Sequence, residues 1–122
     1  MGSMNGFQKP SLMQKREYDR VSFLKRITLK DVKTNHLIEA NGIDINIKGV
    51  RFYSEKFFSM NDRISMQIWL DNVSVWISGK IIWSHIEQDG AITGVQFDDP
   101  IKPDTHPKLY KMIYTNEDRY GR

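Results

Sequence analysis

From Ile64 to Phe97 the chain alternates apolar and polar side chains with few interruptions. Ile64, Met66, Ile68 and Leu70 are interleaved with Ser65, Gln67 and Trp69. After Asp71-Asn72, Val73, Val75, Ile77, Gly79, Ile81 and Trp83 alternate with Ser74, Trp76, Ser78 and Lys80. A period of two is that of a strand burying one face, and Asp-Asn suits a two-residue turn with φ > 0, so a long β-hairpin is predicted. A second turn at Glu87-Gln88-Asp89-Gly90 leads into Ala91, Thr93, Val95 and Phe97, which extends the hairpin into a meander.

Upstream the pattern is weaker but of the same kind. Val21, Phe23, Ile27 and Leu29 sit at odd positions and predict one strand, its alternation broken at Leu24-Lys25. Asp31 to Asn35 reads as a turn, Leu37 to Asp44 as a second strand, and Val50 to Tyr53 as a short third one. Gly42, inside the second strand, marks a bulge or a close backbone approach. Past Pro100 and Pro103 the period changes: Leu109, Met112 and Ile113 share one helical face, Pro107 falls in the first turn, and Asp104 or Thr105 is placed to cap a helix of two to three turns. Strands followed by one terminal helix, with no strand–helix alternation, predict a mainly β protein: a six-stranded antiparallel β-barrel with a C-terminal α-helix. Residues 1–14 read as a flexible arm, in which Met1-Gly2-Ser3 before Met4 looks like an expression remnant. Residues 15–115 form the single domain, and 116–122 a frayed tail.

Composition narrows the function. A chain of 122 residues holds one core and no second lobe. With no cysteine, thiolate nucleophiles, thiolate metal sites and disulfide scaffolds are excluded. No apolar run approaches the roughly 20 residues that span a bilayer, and no signal-peptide core is present, so the reading is a soluble cytoplasmic protein with no membrane insertion. The net charge of +3 is uneven. Phe7 to Lys33 holds eight basic and three acidic residues, net +5, which leaves −2 elsewhere. Such a field attracts an anionic partner, though a solvated basic face looks the same.

Catalytic constellations are missing. His36, His85 and His106 lack zinc-site spacing, and there is no nucleophile elbow, Walker loop or dinucleotide fingerprint. Adjacent carboxylates such as Asp98-Asp99 point to opposite faces of a strand. The expectation is a protein without enzymatic activity, metal or cofactor. Trp83 follows Ile77 and Ile81 in phase and is expected in the core, whereas Trp69 and Trp76 lie on the opposite, partly exposed phase.

Two short stretches remain, Lys15-Arg16-Glu17-Tyr18-Asp19-Arg20 and Asp44-Ile45-Asn46-Ile47-Lys48-Gly49. A guanidinium fork pairs bidentately with phosphate or with a guanine O6/N7 edge and stacks on a purine, so Arg16 and Arg20 suit a nucleotide ligand. Asp44 and Asn46, two apart on one strand face, supply acceptors for guanine N1 and N2, and Gly49 adds a position without Cβ. Together the stretches resemble the paired signature of the PilZ family, an arginine pair followed by Asp/Asn-x-Ser-x-x-Gly on a small β-barrel. Ile81-Ile82-Trp83 and Gly94-Val95-Gln96-Phe97 look like that family's late strands. The resemblance implies a receptor for the bacterial second messenger cyclic di-GMP. Arg16 and Arg20 would contact phosphate and guanine, and Asp44, Asn46 and Gly49 would form the strand half of the site. Lys15 would bear on whether one ligand or a stacked pair is bound. Binding would order the arm over the barrel and relay the signal to a protein partner. Asn46 stands where the family usually has serine. Two other readings stay open: a PilZ-like protein-interaction module that does not bind the nucleotide, and a small barrel that binds single-stranded nucleic acid through the basic segment and exposed tryptophans.

Overall fold

The computed structural model describes residues 20–120, with side chains through 115. The flexible arm expected over 1–14, with Lys15 and Arg16, lies outside the described residues. The elements are β1 (Val21–Ser22), β2 (Arg26–Asp31), β3 (Leu37–Asn46), β4 (Gly49–Ser54), β5 (Arg63–Leu70), β6 (Val73–Glu87), β7 (Gly90–Phe97) and α1 (Pro107–Tyr120). All strand pairings are antiparallel. The sheet order is β1-β3-β2-β5-β6-β7-β4, and pairing of β3 with β4 closes β2 to β7 into the expected six-stranded barrel, with β1 as one extra strand.

The extra strand is half of an element predicted as one. Val21 to Leu29 does run along a single edge of β3, but it splits at Phe23 to Lys25. Val21 and Ser22 pair with Ile45 and Asp44, while Arg26 to Lys30 pair with Asn41 to Leu37. The break faces a bulge in β3 between Gly42 and Asp44, where the expectation of an irregularity at Gly42 is met. Two backbone bonds bridge the gap, Phe23 N to the Ile43 carbonyl (2.9 Å) and Gly42 N to the Lys25 carbonyl (2.8 Å). Leu24, the residue that breaks the alternation, points into solvent.

The interior is one continuous apolar cluster. Ile27, Leu29, Ile45, Phe52, Ile68 and Ile81 are fully buried, and Leu109 and Ile113 of α1 join the same cluster. The helix therefore buries the face its periodicity predicts and touches β1. Its cap lies one residue past Thr105 and two past Asp104, the two expected positions. The Tyr110 N–H bonds to the His106 carbonyl at 2.9 Å, so His106 is the N-cap and Pro107 occupies the first helical position, where its missing N–H costs nothing. At 14 residues, α1 is also longer than two to three turns.

β6 departs from strict alternation. A register shift between Ile81 and Trp83 places an extra residue there, so the phase reverses. Trp83 leaves the core position expected for it and reaches the outer face, half-buried. Trp69 and Trp76 keep the outward phase predicted for them. The Trp69 Nε1–H donates to Thr28 Oγ1 (3.2 Å) with the Arg26 guanidinium 5.0 Å from its ring, and Trp76 is half-exposed.

Candidate functional site

Four registers line up across the barrel wall. Ser22 pairs with Asp44, Asp44 with Arg51, Arg51 with Gly94, and Gly94 with Trp83. One transverse row on the outer face therefore carries a carboxylate, a guanidinium, a bare stretch of backbone and an indole. The indole lies on the bare backbone: a Cβ at Gly94 would fall 2.4 Å from Trp83 Cε2 and 2.6 Å from its Nε1. Gly94 is thus required for the ring to lie flat on β7. The groove beside this row has a volume of about 350 Å³ and is lined by Arg20, Val50, Arg51, Ile82, Trp83, Gly94 and Val95. His85 extends the aromatic wall, with its ring centroid 5.2 Å from that of Trp83.

Asp44 is the electrostatic centre of the site. Its side chain keeps only 14% exposure and is met from both sides. Arg20 Nε donates to Oδ1 at 2.5 Å, and its Nη2 donates to the Asp44 backbone carbonyl at 3.3 Å. Arg51 Nε donates to Oδ1 and Oδ2 at 2.8 and 3.0 Å, and Arg51 Nη2 also donates to Oδ2. Burial works against the charged carboxylate, but the hydrogen bonds from Arg51 and then Arg20 outweigh it, and the Asp44 pKa lies below its ordinary value. The same bonds raise that of Arg51. A carboxylate depressed in the folded state contributes stability that is complete above its unfolded pKa and is lost as pH falls through the lower folded one. Wild type should therefore exceed Asp44→Asn in stability above about pH 4, with the gap closing under further acidification. Urea titrations of both proteins at a series of acidic pH values check this; a gap that does not change with pH would contradict it.

Asn46 and Gly49 shape the turn into β4. Asn46 is buried, and its Oδ1 accepts from the backbone N–H of Lys48 (2.8 Å) and Gly49 (3.0 Å). The amide oxygen thus caps the Ile47-Lys48 turn, a local use of Asn that needs no ligand. At Gly49 a Cβ would lie 2.2 Å from the Val95 carbonyl oxygen, so the missing side chain lets β4 press against β7.

Of the residues singled out in the sequence, Arg20 and Asp44 meet directly, Asn46 and Gly49 lie in the adjoining turn, and Lys15 and Arg16 fall outside the described residues. Arg51 and Trp83 were missed. Counting back from the turn finds Arg51, because Asn46 opposite Gly49 and Ile45 opposite Val50 place Asp44 opposite Arg51. For Trp83 the only signal is Ile82, an apolar residue on the outward phase. Among the described residues no group of histidines and carboxylates could hold a metal ion, and no helix is long and apolar enough to cross a membrane.

The family model for the PilZ domain matches residues 14–115, and the chain belongs to that family. Among solved structures it is similar to the PilZ domain of Escherichia coli YcgR with c-di-GMP, with a TM-score of 0.66, 11% identity, and coverage of 84% of this chain and 91% of that one. It is also similar to YcgR in complex with c-di-GMP, at TM-score 0.58 and 11% identity over 84% of this chain and 46% of that one. Borreliella burgdorferi PlzA in complex with c-di-GMP gives a TM-score of 0.54 and 9% identity, covering 96% of this chain and 59% of that one. The chain thus spans about half the length of YcgR and of PlzA. No curated protein sequence matches it.

Proposed function

We propose that this chain is a cyclic di-GMP receptor whose site is the outward row of Asp44, Arg51, Gly94 and Trp83, faced by Arg20. The observation that carries the reading is the convergence at one groove of two guanidinium groups and a half-buried indole, with the half-buried Asp44 carboxylate held between the two guanidiniums beside it. The ligand presents two phosphates and two guanines, which need those groups. Indole and guanidinium planes accept a purine by stacking, and Asp44 accepts from its N1–H and N2–H edge. Membership of the PilZ family and the c-di-GMP complexes of YcgR and PlzA support the assignment.

In this reading Arg20, with Arg16 and Lys15 on the arm, closes over the ligand. Asn46 and Gly49 hold the strand turn beneath it. Ordering of the arm alters the surface offered to a protein partner in a bacterial cytoplasm, and no catalytic step is involved. Isothermal calorimetry with cyclic di-GMP tests the assignment. Wild type should give a saturable isotherm, and Arg20→Ala should weaken it about 10- to 150-fold, the value of hydrogen bonds to charged groups. Folded wild-type protein that gives no heat would rule the reading out. Oligonucleotide binding that falls steeply with salt, without a dinucleotide isotherm, would point to a nucleic-acid barrel instead.

A further inference from the structure

The two arginines on Asp44 are not equivalent. Arg51 stands in β4 directly opposite Asp44 in the register, so its backbone is tied into the barrel on both edges, to β3 and to β7. Its Nε reaches both carboxylate oxygens, at 2.8 and 3.0 Å, and its Nη2 reaches Oδ2. Arg20 precedes a strand of only two residues and touches Oδ1 alone among the carboxylate oxygens. A carboxylate has about four lone-pair sites. A fork held across both oxygens from the Arg51 side leaves the far side of each for other donors, and Arg20 fills one of these.

We propose that Arg51 is a positioning residue that fixes the plane of the Asp44 carboxylate, so that a guanine edge can take the place of Arg20 on it. This rests on the cyclic di-GMP reading above and specifies how that site selects its base. Guanine presents two parallel donors, N1–H and N2–H, which can replace the two Arg20 donors on Asp44 Oδ1 and on the Asp44 carbonyl oxygen. Adenine has an acceptor at N1 and no amino group at C2, so a carboxylate held in that plane rejects it. Displaced Arg20 stays in the groove, free to pair with phosphate or the other guanine edge. Asp44 meanwhile keeps its charge compensated by Arg51, which a half-buried carboxylate requires once a first partner leaves. Without Arg51 the carboxylate would turn with Arg20 and hold it.

Calorimetry with cyclic di-GMP and cyclic di-AMP on wild type, Arg51→Ala and Arg51→Lys tests this. Wild type should prefer the guanine ligand. Arg51→Ala should lose about tenfold or more in affinity for cyclic di-GMP while changing little for cyclic di-AMP, so the preference shrinks. Arg51→Lys keeps a positive charge without the fork and should also lose preference; it provides the readout if the alanine variant does not fold. An NMR titration of ligand-free Arg51→Ala should show the Asp44 carboxyl titrating at higher pH than in wild type. If wild type binds and the folded Arg51 variants keep both affinity and preference, the positioning role is overturned while the receptor reading stands. If wild type binds neither dinucleotide, the receptor reading itself fails.

Discussion

Asp44→Ala is expected to bind cyclic di-GMP about 30- to 5,000-fold more weakly than wild type, the cost of truncating one partner of a largely desolvated hydrogen-bonded charge pair, roughly 2–5 kcal/mol. Two losses combine. The guanine edge loses its acceptor, and Arg20 and Arg51, both now facing the carboxylate at hydrogen-bond distance, are left close together without the negative charge between them. Calorimetry against cyclic di-GMP, with circular dichroism to show that the variant is folded, gives the measurement. Affinity within a factor of two of wild type would remove Asp44 from the site.

The second large effect is on stability. Gly49→Ala places a Cβ 2.2 Å from the Val95 carbonyl oxygen, and that oxygen belongs to backbone inside the β4–β7 pairing, so it cannot rotate away as a side chain would. Relief requires the two strands to separate locally, and overpacking of this kind costs about 1–3 kcal/mol. For a domain of this size each kcal/mol lowers the melting temperature by about 4–8 °C. Thermal unfolding should show that loss, and below the transition the folded fraction should still bind cyclic di-GMP. A variant that melts like wild type but has lost the ligand would instead assign Gly49 to close approach of the ligand.

How far the site can be read from the chain follows from which interactions are local. The β5–β6 hairpin and β7 are visible as alternation because each buries one face and exposes the other. The same rule places Trp69 and Trp76 correctly. It fails where one residue changes the phase: Ile82 is a single extra residue, and everything after it, Trp83 first, faces the other way. The split between β1 and β2 is visible only as a blemish at Leu24-Lys25, because its cause is the bulge at Gly42 on the neighbouring strand. Arg20 and Asp44 are found as a motif pair, and the structure brings them into contact. Arg51 escapes a reading that treats Gly49 as an ending rather than as the far side of a tight turn. Asn46 was read for its chemistry towards a ligand, whereas its amide oxygen is already engaged by the turn it closes. On α1 the apolar face was legible, and the cap was misplaced because two polar residues with capping side chains precede a histidine that takes the position.

The bulge at Ile82 makes the groove depend on parity. Were β6 paired residue for residue, without the bulge, Ile82 would face Gly94 and Trp83 would point into a barrel already filled by Ile77, Ile81 and Phe97. The shelf at Gly94 would then carry Ile82 in place of the indole. For this chain deleting Ile82 would leave Trp83 opposite Gly94, whereas flattening the bulge with Ile82 kept would exchange the inner and outer walls of the strand beyond it, so the pairing there matters to the site as much as the identity of any residue that lines it.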